Sequence, residues 1–159
     1  SGLQAGAKRG GLFLAGVVMA AAIALHNLPE GMVIGASYAA DLAEAGQDGR
    51  MMALVIGLHN IPEGMAVAVP LAAGGASRGR AVLTTAAAGA PTVLGAVLGF
   101  CLGTMGPGLQ MLTLGGASGA MLYVVFGELL PESFRLCRSP APVMAAVLGV
   151  LTGMGVVLG

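Results

Sequence analysis

Charge is what this sequence has least of. Only 9% of its 159 residues are charged, against about a quarter in an ordinary soluble domain. A chain so poor in charge cannot cover a water-exposed globule with polar surface, so a membrane protein is expected. Seven basic residues balance seven acidic ones, so no nucleic acid or other polyanion is implied as a partner. Cysteine is nearly absent too. Cys101 and Cys137 form no CxxC, which argues against a disulfide framework or a paired-thiolate site and leaves both as small packing residues. Ser1 to Gly10 holds no apolar run of the secretory-signal kind. The chain also lacks an initiator Met and is read as a piece of a longer protein.

What is abundant is apolar residues, at 57%, with 28 glycines set inside the apolar runs. Small residues let helix backbones approach closely in lipid, so a packed helix bundle is expected rather than a flexible chain. Five stretches reach about the 20 residues a spanning helix needs: Gly11–Ala40, Met51–Ala73, Arg80–Thr104, Leu109–Phe134 and Ala141–Leu158. Breaks fall at Asp41–Arg50, Gly74–Gly79, Met105–Gly108 and Arg135–Pro140. A β-barrel would need short alternating segments, and Val17 to Leu25 is continuously apolar, so the fold class is an all-α transmembrane bundle. If five helices alternate in direction, Lys8, Arg9, Arg78, Arg80, Arg135 and Arg138 share one side. Arg50 falls on the other, beside Asp41, Glu44 and Asp48. The positive-inside rule then puts Ser1 in the cytoplasm and Gly159 outside an inner membrane.

Two segments nearly repeat. Leu25-His26-Asn27-Leu28-Pro29-Glu30-Gly31-Met32 matches Leu58-His59-Asn60-Ile61-Pro62-Glu63-Gly64-Met65, and these hold the only two histidines. Each copy lies near the middle of its apolar stretch, at bilayer-centre depth. Consecutive helices run antiparallel, so the two copies meet at one depth facing opposite ways, a local two-fold relation in the membrane plane. Within each copy His and Glu stand four apart and share a helical face, with Asn about 100° around. Pro29 and Pro62 should kink their helices and free backbone oxygen near that level. Gly31 and Gly64 should admit a neighbouring helix.

A carboxylate at a helix centre in lipid costs about 2.5–3.5 kcal/mol on insertion scales, so a pair costs on the order of 5–7 kcal/mol. One divalent cation between Glu30 and Glu63 cancels both charges, and neutral His26 and His59 complete a four-ligand set. Mixed imidazole and carboxylate ligands suit Zn2+, and also Fe2+, Mn2+, Co2+ or Cd2+. Asn27 and Asn60 add weak oxygen ligands, which suits an ion that must leave again. The ten methionines are scattered and read as packing rather than a copper(I) site. The turn Gly74-Gly75-Ala76-Ser77 lacks the ending of a phosphate-binding loop.

These paired motifs resemble the ZIP (Zrt/Irt-like protein) family of divalent-metal transporters, and the resemblance covers the whole chain. The two HNxPEG stretches are similar to the family's fourth and fifth transmembrane helices and the other three to its sixth to eighth. Gly119-Ala120-Met121-Leu122-Tyr123-Val124-Val125 and Glu128-Leu129-Leu130-Pro131-Glu132 are similar to the seventh helix of bacterial and GufA-like members. The resemblance implies a single transporter domain over residues 1–159, the C-terminal portion of an eight-helix protein whose first three helices are absent here. It also implies metal ligands at His26, Asn27, Glu30, His59, Asn60 and Glu63, and transport inward. In one respect the sequence departs. Many members with two-metal sites carry Glu before the sixth-helix proline, where Ala90 precedes Pro91 here. Two ions would set four positive charges against two carboxylates, so one tight ion is expected, with a second weak or absent.

Glu128, four residues before Glu132, is an exit-path candidate, set against an interfacial, solvated role for both. Asp41, Glu44 and Asp48 read as an ordinary charged loop rather than a cation collector. Partners are the metal ion and the lipid bilayer, with pairing to a second copy left open. An intramembrane metalloprotease is the rival from another class, but it wants HExxH and none occurs. A metal-stabilised membrane receptor would use the same ligands as a transporter, so sequence does not separate those two. An enzyme is not expected.

Overall fold

The structure is a computed structural model. It describes the backbone of residues 2–44, 46–137 and 139–158, and the side chains of these except 2–5, 44, 124, 128, 129, 132, 135, 136 and 156–158. The described residues are helical throughout apart from short turns, and hold no strand. The elements are α1 (Gly2–Glu44), α2 (Asp48–Ala73), α3 (Arg78–Thr104), α4 (Pro107–Val124), one π-helical turn (Val125–Leu129), α5 (Leu130–Leu136) and α6 (Ala141–Leu158). Four helical stretches, Gly6–Ala43, Asp48–Ala73, Arg78–Thr104 and Pro107–Gly127, are long and apolar enough to cross a membrane. The fifth expected span falls on α6, whose Ala141–Gly155 stretch is apolar but shorter.

The boundaries correct the expected breaks. α1 runs on through Asp41 to Glu44, and the Asp41 carboxylate accepts from the first two backbone N–H groups of α2. At 43 residues it is about 64 Å long, twice the hydrocarbon thickness of a bilayer. Pro29 and Pro62 sit inside continuous helices. The α2–α3 turn is tight. Gly75 takes φ 96°, a region that favours glycine, and the Ser77 hydroxyl accepts from the Arg80 N–H to cap α3. The stretch expected as one helix over Leu109–Phe134 is interrupted by the π turn. Pro131, two residues later, has no N–H for the carbonyl four residues back, which is a local cause of such an adjustment.

The chain divides into two compact units, Ser1–Met121 and Leu122–Gly159. In the first, α1 is the central element, and α3 packs on it most extensively. Gly31 and Gly35 of α1 meet Gly95 and Gly99 of α3 backbone to backbone. A Cβ at Gly31 would overlap the Thr92 carbonyl, at Gly35 that of Ala96, at Gly95 that of Leu28 and at Gly99 that of Met32. This is the small-residue packing of membrane helices, a glycine every four residues on both partners. A small core of Ala20, Val67, Leu71, Ala81 and Ala88 ties α2 to the pair. Large apolar side chains such as Leu14, Leu58, Leu83 and Val93 stand exposed, as helices solvated by lipid would have them. In the second unit, the π turn, α5 and α6 pack in sequence.

Candidate metal site

Both HNxPEG motifs lie inside helices of the first unit, on α1 and α2. The i, i+4 spacing does what the helical period requires: His26 Nε2 is 3.1 Å from Glu30 Oε1, and His59 Nε2 is 3.2 Å from Glu63 Oε1. Across the helix pair, His26 Nε2 is 3.4 Å from Glu63 Oε1 and His59 Nε2 is 3.4 Å from Glu30 Oε1. The contacts form a closed ring, His26, Glu30, His59, Glu63, with the expected local two-fold relation in its distances. The imidazoles do not stack; their centroids are 6.4 Å apart and tilted by 57°. One ligand atom from each residue can be chosen so that all four lie within 4.8 Å of one another. Four ligands about 2.0–2.1 Å from one zinc ion at tetrahedral angles stand roughly 3.3 Å apart. The four ring edges are close to that length, and all six pairs fall within 4.8 Å.

Burial breaks the symmetry. The Glu30 side chain is fully buried and that of His26 is 8% exposed, whereas His59 is half exposed and Glu63 is 15% exposed. The α1 half of the ring is sunk against α3, and the α2 half lies toward the outside of the helix group. Neither Glu30 oxygen makes an aligned hydrogen bond, although Oε1 is within ion-pair distance of both imidazoles. Glu63 Oε2 and His26 Nδ1 are likewise buried without a partner. Unpartnered buried carboxylate oxygen is costly and rare in native proteins. A cation at the ring centre satisfies it.

The two asparagines stand beside the ring. Asn27 is 2% exposed, and its amide nitrogen donates to the Ala88 carbonyl of α3 at 2.8 Å. That bond fixes which way the amide faces and leaves Oδ1 buried and unpartnered; Asn60 Oδ1 is also unpartnered. Asn27, Asn60, Glu63 and Thr85 line a cavity of about 80 Å3 walled by Ile23 and Val67. Three of its lining residues carry buried acceptors without partners: Asn27 Oδ1, Asn60 Oδ1 and Glu63 Oε2. Gly31 admits α3 to contact, as expected; Gly64 is far looser, a Cβ there meeting only Thr85 Cγ2 at 3.3 Å.

The model of the ZIP zinc transporter family matches residues 3–159. The chain belongs to this family. A curated relative, the zinc transporter GufA of Myxococcus xanthus, is 40% identical over 114 residues, which is 72% of this chain and 44% of that protein. The chain thus spans less than half the length of the relative it matches. No solved structure matches it.

Of the site residues expected from sequence, His26, Glu30, His59 and Glu63 come together in the ring, and Asn27 and Asn60 adjoin it. The side chain of Glu128, the exit-path candidate, and that of Glu132 lie outside the described residues. Sequence reasoning missed the Ala88 carbonyl and Thr85. The carbonyl that Pro91 leaves without a helical donor is that of Ala87, four residues back, so no local sequence signal marked Ala88 as the acceptor. Asp41 reads in the sequence as plain loop charge, yet both its oxygens accept backbone N–H groups.

Proposed function

We propose that this chain carries the ion-binding part of a membrane transporter for zinc or a related divalent cation. The observation that carries the reading is Glu30: a fully buried carboxylate, its oxygens without aligned hydrogen bonds, ringed by a second carboxylate and two imidazoles. The name of the GufA relative supports zinc as the cargo, and the mixed imidazole and carboxylate set of the ring suits that ion. Fe2+, Mn2+, Co2+ and Cd2+ remain within the reach of the same ligands.

In this reading Glu30 and Glu63 neutralise the ion, and His26 and His59 select for a borderline-soft metal over calcium or magnesium, which prefer oxygen. Asn27 and Asn60 offer neutral oxygen from the adjoining cavity, and Glu128 receives the ion on its way out. The site then holds one ion tightly, since Ala90 supplies no third carboxylate for a second. Access alternates between the two sides of an inner membrane, with Ser1 cytoplasmic and the net movement inward.

The test is uptake of radioactive zinc by vesicles holding the full-length protein, intact and with Glu63→Ala. The intact protein should fill the vesicles and the variant should fall to background. Equal uptake by both overturns the site. Tight binding without any uptake by the intact protein would instead favour the metal-stabilised receptor. Calorimetric titration finding two tight ions per chain would overturn the stoichiometry.

A further inference from the structure

The two ligand-bearing helices meet backbone to side chain at their ends, and between them the ring residues face one another at 3.4 Å. At the outer end, Gly49 of α2 lies directly on Tyr38 of α1, where a Cβ would fall 2.7 Å from the ring and 2.8 Å from the Tyr38 Cα. At the other end, a Cβ at Gly74 would overlap the Phe13 backbone, and Gly16 abuts Leu71. Phe13 to Tyr38 on α1 is as long, residue for residue, as Gly49 to Gly74, the residue that ends α2. One antiparallel register therefore runs the length of the hairpin. The buried residues of α2 are Gly49, Ile56, Val67 and Leu71. The stretch between Ile56 and Val67, which carries His59 and Glu63, has none.

Asp41 closes the outer end. Its Oδ1 accepts from the Asp48 N–H and its Oδ2 from the Gly49 N–H, both at 2.9 Å. These are the first two backbone donors of α2, and the residue in the usual capping place, Gln47, makes no side-chain cap. A carboxylate of one helix thus caps the next across a three-residue connection, and its charge suits the positive end of the α2 dipole. A slip of α2 by one residue would shift it about 1.5 Å and turn it about 100°. His59 would then leave Glu30, and Glu63 would leave His26.

We propose that Asp41 is a positioning residue for the metal site, about 16 Å along α1 from Glu30: it fixes the register of α2 so that His59 and Glu63 face His26 and Glu30. This rests on the ring being the metal site, and the controls separate the two ideas.

Zinc affinity is measured by calorimetry on the full-length protein in detergent, thermal unfolding is followed alongside, and the visible spectrum is taken with the site saturated by Co2+. Asp41→Ala should weaken zinc binding about tenfold, within the range that losing an indirect support for a ligand typically costs, and alter the Co2+ bands at saturation. Asp41→Asn, which keeps one acceptor, should fall between. Gly49→Ala, forcing α2 off Tyr38, should act in the same direction. Ser77→Ala removes the α3 cap instead; it should lower the unfolding temperature and leave affinity and spectrum as in the intact protein. If Asp41→Ala does not fold, Asp41→Asn and Gly49→Ala carry the test. Unchanged affinity and Co2+ bands in the folded Asp41 and Gly49 variants overturn the proposal, as does a Ser77→Ala loss equal to theirs. If Glu30→Gln binds zinc as the intact protein does, the ring itself is not the site.

Discussion

α1 carries two seams of opposite kinds. Against α3 it presents Gly31 and Gly35 to Gly95 and Gly99, so that backbone lies on backbone with no ionisable group between. Against α2, at the same depth, it presents His26 and Glu30 to His59 and Glu63, with no fully buried α2 residue from Gly57 to Ala66. The first seam is complete in itself: its cohesion is dispersion between closely fitted surfaces, and nothing has to bind for it to hold. The second is closely packed at its ends and polar at its centre, where two imidazoles and two carboxyl groups face one another. The arrangement suits a site that must take up and release an ion, because the α3 seam can keep its packing while the α2 seam loses its central tie.

The largest break in that comparison comes from filling the closed seam. Gly31→Leu drives a side chain into the Thr92 carbonyl and should cost about 3 kcal/mol or more, the upper end for overpacking, read as a large fall in unfolding temperature that zinc does not repair. Next is the polar seam. Zinc at a hundred times its dissociation constant should stabilise the intact protein by about 2.7 kcal/mol. The double variant Glu30→Gln with Glu63→Gln should lose that increment while unfolding no more easily than the intact protein without metal, since its neutral amides remove two buried charges. A smaller effect belongs to the link between the seams. Asn27→Ala deletes the bond to the Ala88 carbonyl and should cost about 1 kcal/mol, measured by chemical denaturation. The smallest is Gly64→Ala. Its Cβ meets only a methyl at 3.3 Å, and the roughly 0.8–1 kcal/mol of helix propensity gained by alanine offsets that crowding. Unfolding should shift by less than about 0.5 kcal/mol, in contrast to Gly31 at the same place in the other motif.

That contrast marks where sequence stops being informative. The ring was legible because His and Glu are so scarce in these apolar runs that two copies of the same pair at mid-span leave few readings. The spacing within each motif fixed the face, and antiparallel neighbours fixed the depth. Which glycines would be closed upon was not legible, because Gly31 and Gly64 have identical local sequence and differ only in the helix opposite. The same limit hid the burial asymmetry between His26 and His59. The reach of α1 past Asp41 was not legible because a charged run reads as a loop, and a carboxylate that caps the following helix can sit inside its own. The π turn at Val125–Leu129 was obscured by an unbroken apolar stretch, with Pro131 as its one hint.

X-ray absorption at the zinc edge, on purified full-length protein loaded with one equivalent, tests most directly whether a single ion sits among two imidazoles and two carboxylates. The account predicts nitrogen and oxygen neighbours near 2.0–2.1 Å, with outer-shell scattering from two histidine rings that disappears in His26→Ala with His59→Ala. A shell of oxygen alone, unchanged by that double substitution, would contradict it.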